Sequence, residues 1–449
     1  MTAASTWRLS LLAGGIALLL GACGSSAPRR SPAKASGGAP PAVAARRTVA
    51  GLTPSPPQQP SDPPVVVAME PDLPPLAGPL VSTPVRVSPA LGDRVAGRAL
   101  NLPAGFQASV YALPGGGPRF MALSPDGHLF VTLIGRGQVV ELLDDGSGVA
   151  ATTQTVLSGL NQPHGIAFDD GYLYVGETNQ IVRVPYTDGV VQKDAKEVVI
   201  ANLPTGGHAT RTVNFGPEGV MYVAVGSSCN VCLETNPLRA AITAFAPDGS
   251  GRQPFATGLR NAVGFVFQPG TGDMWATVNG RDNIGDDMGL SGADATRATD
   301  NLPPDYVTRV SAGGDYGWPR CYGDHQLDPK FGDAAFCATT LAPSVELQAH
   351  SAPLGLGFYT GSSFPAEFQG DLFVALHGSW NRSTKTGYKV VRVKFENGQP
   401  ARVEDFATGW LEGAGAWGRP VDAITGPDGA LYISDDSGGA IYRISYGGN

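Results

Sequence analysis

Residues 201–226, ANLPTGGHATRTVNFGPEGVMYVAVG, and residues 256–288, ATGLRNAVGFVFQPGTGDMWATVNGRDNIGDDM, share one grammar. A polar loop carrying His208, or Arg260 with Asn261, leads into an apolar run; a Gly/Pro/Asp turn follows, then a second apolar run. Alternation of period two in the apolar runs argues for strands rather than helix, and glycine-containing connections suit hairpins. Polar residues just before a strand sit at its mouth. Strands arranged radially would bring such mouths together on one axial pocket.

Working outward, the same unit recurs six times. It begins at Arg119 (RFMALSPDGHLFVTL), Pro163 (PHGIAFDDGYLYVG), Arg211, Asn261, Pro353 (PLGLGFYTGSSFPAEFQGDLFVALHG) and Arg419 (RPVDAITGPDGALYISDD). Early unit starts are roughly 45–50 residues apart, the length of a four-stranded propeller blade. The expectation is an all-β, six-bladed β-propeller of four-stranded blades over residues 98–449. The strand at 105–111 is left over to complete the last blade and clasp the ring. A pair of β-sandwiches does not explain the repeat. The spacing stretches between the fourth and fifth units, so residues 281–350 read as a long insertion, of a size that is usually functional.

Composition agrees. The 449 residues include 61 Gly and 38 Pro but only 16% charged residues, which disfavours long helices and suits short strands with tight turns. Net charge is −8 and no basic run follows residue 50, so nucleic acid is excluded as an expected partner. At the N-terminus, Trp7 and Arg8 precede LSLLAGGIALLLGA, too short to span a bilayer comfortably but right for a signal peptide, residues 1–22. The run ends in Leu20-Gly21-Ala22-Cys23, which has the form of a bacterial lipobox. An ordinary signal peptide with a chance cysteine is the alternative. The expectation is a lipidated Cys23, contact with the membrane only through that anchor, and a place in the cell envelope facing the periplasm or exterior. Residues 23–97, rich in Pro, Ala, Gly and Ser, read as a disordered tether.

Of the five cysteines, four remain after the anchor: Cys229, Cys232, Cys321 and Cys337. Proximity favours Cys229–Cys232 and Cys321–Cys337 among the three pairings, as befits an oxidising compartment. The longer loop is worth roughly 3 kcal/mol on a chain-entropy model. A redox or zinc role for Cys229-Asn230-Val231-Cys232 is the alternative, but no second CxxC supports it.

The loops leading into the innermost strands carry His164, His208 with Arg211, Arg260 with Asn261, His350, and Arg419 with Asp422. One histidine before a strand is usually structural. Recurrence at one location per blade points instead to a shared pocket for an anionic ligand, since arginine supplies forked donors for carboxylates. The segment NGRDNIGDD (279–287) combines carboxylates, amides and glycines, a composition suited to calcium or to a solvated turn.

The motifs NLPTGGHATR, GLRNAVGFVF, NGRDNIGDDM, GGDYGWPRCYGD and GRPVDAITGPDGALYISDD, in this order, resemble the soluble PQQ-dependent sugar dehydrogenases and their sorbosone and pyranose dehydrogenase relatives. The resemblance covers about residues 98–449. It implies oxidation of an aldose or sugar aldehyde, with PQQ and calcium as cofactors. His208 would be the base that takes the hydroxyl proton while hydride passes to the quinone. Arg260 and Asn261 would lie against PQQ, Arg419 would pair with its carboxylates, and Arg382 would be a further basic contact. Main-chain carbonyls of Gly280 and Arg281 would hold calcium, and Asp287, Tyr316 and Asp324 a second, structural calcium. The sequence departs from the glucose enzymes at Asn279, Arg281 and Val421, and Ser227-Ser228 stands where the family orients its base with Asp. His377, Trp380 and Arg382, with the Cys321–Cys337 span, are nearer the sorbosone and pyranose branch; Trp380 stacks on the cofactor or packs in a blade, packing being the expectation.

Electrons would leave to a quinone or a small cytochrome. The alternatives are a calcium-dependent propeller lactonase or esterase, and a non-catalytic binding propeller that has lost the cofactor.

Overall fold

The computed structural model of the chain describes residues 67–68 and 79–447; the signal peptide, Cys23 and most of the tether lie outside the described residues. Among the described residues, six antiparallel four-stranded blades form a ring. Their innermost strands are Pro118–Leu123, Ile166–Asp169, Arg211–Phe215, Ala262–Phe267, Pro353–Phe358 and Pro420–Thr425. Each inner strand packs against the next and the sixth against the first, which closes the circle.

The repeated turn has a local cause. Gly127, Gly219, Gly249 and Gly429 each take a left-handed φ, between 74° and 89°. The N–H of each bonds the carbonyl three residues back: Ser124, Gly216, Ala246 and Gly426. Only glycine enters that region without strain, so the -PDG- and -PEG- signatures define the hairpins.

The second strand of five of the blades departs from a half-buried alternation. Leu129–Leu133, Met221–Val225, Met274–Val278, Leu372–Leu376 and Leu431–Asp435 are buried at every position. Blades stack face to face, and six apolar clusters each fill the gap between two neighbours. Between the sixth and first blades, for example, Tyr111 and Tyr432 pack with Met121 and Leu129. Full burial of each such side chain contributes about 1.5–3 kcal/mol.

Closure of the ring is as expected: Phe106–Ala112 pairs antiparallel with Ala440–Tyr446, so both chain ends share one blade. Two boundaries need correction. The fold extends into the expected tether, because Val81–Arg86 pairs with Ala99–Leu102 and alongside Val85↔Ala108 in the same blade. This strand lies between those two neighbours, and Pro84 falls where its pairing passes from Ala99–Leu102 to the strand holding Ala108. Residues 281–350 are likewise not one insertion. They contain the outer strands of the fourth blade, Asp305–Val310 and Val345–Leu347, flanked by the helices Ile284–Asp287 and Gly292–Asn301 on one side and Ala334–Cys337 between them.

Both nearest-neighbour disulfides are formed, with Cα–Cα distances of 6.2 Å for Cys229–Cys232 and 5.8 Å for Cys321–Cys337. A thiolate metal site at Cys229 and Cys232 is thereby excluded in this state.

Candidate functional site

A cavity of about 300 Å³ opens where the loops enter the inner strands, a volume at the lower end of small-molecule sites. His208, Arg260, Asn261, Gly280 and Arg419 line it together, as do Arg119, Asp282, Asp305, His350 and His377. Side chains up to 300 residues apart in sequence therefore meet at one mouth of the ring.

His208 is held from its Nδ1 side. That nitrogen lies 3.0 Å from the Ser227 carbonyl oxygen and 3.0 Å from the Ser227 hydroxyl. A proton on Nδ1 donated to the carbonyl leaves Nε2 as the lone-pair nitrogen, and Nε2 has no hydrogen-bond partner among the described residues. Burial, then the charge of Arg260, lowers the imidazole pKa to about 4, with the Ser227 contact opposing. The ring is neutral at neutral pH. Close packing here depends on Gly226, where a Cβ would lie 2.4 Å from Asn261 Oδ1 and 2.7 Å from the His208 Cβ.

Arg260 is buried and fully engaged. Its Nε donates to the Asn230 carbonyl at 2.9 Å, one terminal nitrogen to the Gly280 carbonyl at 2.5 Å, the other to Asn230 Oδ1 at 2.9 Å. Beside it, the Asn261 amide makes only a 3.5 Å contact with Asn279 Oδ1, and its own Oδ1 is buried with no partner. Asn261 lines the cavity, and its one long amide contact leaves Nδ2 with donor capacity for a ligand.

The opposite wall is an ion network. Arg119 donates to Asp436 Oδ2 at 2.7 Å, and His377 Nε2 lies 2.9 Å from Asp436 Oδ1. Burial would raise the Asp436 pKa, but the bond and charge of His377 and the charge of Arg119 outweigh it and hold the carboxyl well below the usual range. Arg419 braces this wall through the His377 and Gly378 carbonyls, at 3.0 and 2.8 Å. Asp305 is buried and its pKa is pushed up to about 6, even though the N–H groups of Gly280 and Ala352 donate to it.

The family model described as TrAA12-like matches residues 100–447. The chain belongs to the TrAA12-like family. A Borreliella burgdorferi protein called uncharacterized is 31% identical to this TrAA12-like chain over 346 residues, covering 73% of it and 86% of the relative. The pyrroloquinoline quinone-dependent pyranose dehydrogenase of Coprinopsis cinerea is 27% identical over 387 residues. That match covers 73% of the present chain and 52% of the relative, so the chain spans about half of that protein's length. The holo structure of the Coprinopsis PQQ domain superposes with a TM-score of 0.68 at 23% identity, covering 80% of this chain and all of that one, a likeness of fold.

Several residues of the TrAA12-like chain sit where the sequence did not put them. Arg382 turns from the cavity to the Thr384 and Ala349 carbonyls. Arg119, which begins its unit as Arg211 and Arg419 do, faces the cavity instead; laying the six units over one another would have singled it out. Arg211 is fully buried, its guanidinium capping the carbonyls of Pro204, His208 and Thr210. His164 is buried behind Arg119, which donates to its Nδ1 at 3.3 Å. Asp422 accepts from the Met121 N–H and lines a different cavity, at the other end of the inner strands. Trp380 does not pack in a blade: it is 71% exposed and stands at the cavity's edge.

The expected metal ligands separate into two groups. Around Arg260, the carbonyl of Gly280, expected as a ligand together with that of Arg281, is joined instead by the Asn279 carbonyl and the Asp282 carboxylate in an oxygen cradle of the kind a hard cation prefers. The side chains named for a second calcium go to different partners. Asp287 and Asp328 both pair with the buried Arg281 guanidinium. Tyr316 donates to the Arg309 carbonyl at 2.7 Å, and Asp324 is paired with His325 on the surface. The guanidinium of Arg281 supplies positive charge between two carboxylates that a cation would otherwise share.

Proposed function

We propose that this protein is an oxidoreductase that takes hydride and a proton from a sugar, an aldose or sugar aldehyde, in a PQQ- and calcium-dependent reaction. The observation that carries the reading is the open Nε2 of a neutral His208 facing a cavity whose walls hold three arginines and the Asn261 amide. The pyranose dehydrogenase named above supports the same substrate class.

When bound, PQQ supplies the hydride acceptor, and calcium supplies Lewis-acid polarisation of its quinone. Arg119, Arg419 and Arg260 would hold the carboxylates of such a cofactor, and the Asn261 amide N–H would donate to a quinone carbonyl oxygen. The Gly280 carbonyl and its neighbours Asn279 and Asp282 would hold calcium, with Arg260 giving up part of its hold on Gly280. His208 accepts the substrate hydroxyl proton at Nε2 while Ser227 steadies Nδ1. A positioned base of this kind contributes about 10²–10⁴ in rate. In the family pattern an aspartate orients this histidine; here a main-chain carbonyl does so without adding charge.

The mature protein would be a lipoprotein anchored at Cys23 in the cell envelope, passing electrons to a quinone or small cytochrome. Reconstituting the purified protein with PQQ and calcium, with a dye acceptor and a panel of sugars, tests the activity. PQQ-dependent dye reduction is expected. Metal-dependent lactone hydrolysis, or neither reaction, would replace this reading with the lactonase or the binding propeller.

A further inference from the structure

Residues 227–234 form no strand or helix, yet they touch both functional groups of one cavity wall. The Ser227 N–H donates to the Arg260 carbonyl at 2.8 Å, and its hydroxyl donates to the Cys229 carbonyl at 2.7 Å. The same residue flanks His208 Nδ1. Three residues on, Asn230 bonds Arg260 twice, once by its main-chain carbonyl and once by Oδ1. It also clasps Asp282: Oδ1 accepts the Asp282 N–H at 2.8 Å and Nδ2 donates to the Asp282 carbonyl at 2.9 Å.

Asn230 stands in an exposed turn, and a turn without sheet partners belongs to the part of a protein that opens most easily. Two features restrain it. The Cys229–Cys232 disulfide closes a ring around Asn230 and Val231, and the Glu234 carboxylate accepts from the Ser228 N–H and hydroxyl. A buried guanidinium needs its acceptors in fixed places, because leaving a charged donor unpaired costs more than a neutral one.

We propose that the Cys229–Cys232 ring is a positioning clamp: Asn230 sets the place of Arg260 and Asp282, and Ser227 sets the place of His208. Asn230 is thus a positioning residue that acts through Arg260. This deepens the reading of His208 and Arg260 as functional groups and rests on it, but the clamp itself is measured without cofactor. The charged groups facing His208 are Arg260, Arg239 and Arg211. Arg260 acts most strongly of the three, so an Arg260 freed from Asn230 relaxes the suppression of the imidazole's protonation.

The experiment follows the His208 ring by NMR titration in the cofactor-free full-length protein, in Asn230→Ala, in the pair Cys229→Ser/Cys232→Ser, and in the control pair Cys321→Ser/Cys337→Ser. PQQ affinity is measured in parallel. The His208 midpoint is expected to rise by about one unit or more toward the ordinary histidine value in the first two variants, and to stay in place in the control. PQQ affinity should fall about tenfold in the first two, as for loss of a bond to a charged group. An unmoved midpoint in either folded clamp variant, or an equal rise in the control, overturns the proposal. Should Asn230→Ala fail to fold, the cysteine pair decides alone; should that pair fail too, reduction of the native disulfide with dithiothreitol decides, read by the same titration. A protein that binds no PQQ in any form overturns the proposed function and leaves the titration result standing.

Discussion

The two ends of the ring of inner strands are built from the same six strands and differ in almost everything else. At the loop-entry end, the cavity of about 300 Å³ holds Arg119, Arg260, Arg419 and His208. At the far end, a cavity of about 280 Å³ is lined by Phe120, Ile166, Phe168, Val213, Phe265 and Leu356, with Asp422 its one carboxylate. Repetition of a strand around a ring leaves a hollow at each end. Chemistry sits at one mouth because the loops entering the strands are free to differ, whereas the middles and exits of the strands must pack against their neighbours in every blade.

The contrast breaks most directly at His208. Replacing it with alanine should lower turnover in the reconstituted protein by about 10²–10⁴ while PQQ affinity, read by titration, changes little. Equal loss of binding and turnover would place His208 among the cofactor's ligands instead.

A smaller effect is expected from Arg419→Ala. Loss of one charge-assisted contact, worth about 1.5–3 kcal/mol, should weaken PQQ binding by roughly ten- to a hundredfold. Since Arg419 also braces the His377 and Gly378 carbonyls, the affinity loss should come with a lowered melting temperature.

pH sharpens the comparison. A His208 with its pKa at about 4 is already the neutral base at pH 5–6, so the acid limb of kcat/KM should lie near 4 rather than near the ordinary 6.5. Arg260→Ala should move that limb upward by about a unit, because it removes the positive charge that acts most strongly on the ring. For stability the sign is fixed by the same shift. Between pH 6.5 and 4 the unfolded chain takes up a proton that the folded His208 refuses, so this contribution is present above 6.5 and is lost as pH falls through the window.

Asp422 at the other mouth runs the opposite way. Burial pushes its pKa up to about 7, against 3.8 as the ordinary value, so the folded protein holds a proton that the unfolded chain has released. That contribution is complete at low pH and is lost as pH rises through 7. Asp422→Asn should therefore be more favourable to stability, relative to the parent, at pH 8 than at pH 5, by on the order of 2 kcal/mol in denaturant melts. Turnover and PQQ affinity should stay within about twofold. A large loss of activity would make the two mouths one site.

Much of this was legible in the chain. The PDG-type turns, the two apolar runs around each and the leftover strand at 105–111 determine six blades and their closure, because each feature is local and repeats. His208, Arg260, Asn261 and Arg419 were legible for the same reason: they lie in the loop that enters the inner strand of each repeat. Arg119 begins its unit at the same mouth but lies just inside the strand, where a packed side chain is the ordinary expectation. What the chain alone did not disclose was direction and partner. Arg211 and Arg382 are arginines in the right loops whose guanidinium groups are consumed by nearby carbonyls, and Asp422 lies one pleat too far along its strand to reach the entry mouth. Asp436, His377 and Arg119 become one network only when the first, fifth and sixth blades are set side by side. Local pattern determines where a strand begins and which end of it a residue occupies. Which neighbour saturates a charge, and which charge is left facing the cavity, depends on side chains brought together from distant blades, and that only closure of the ring decided.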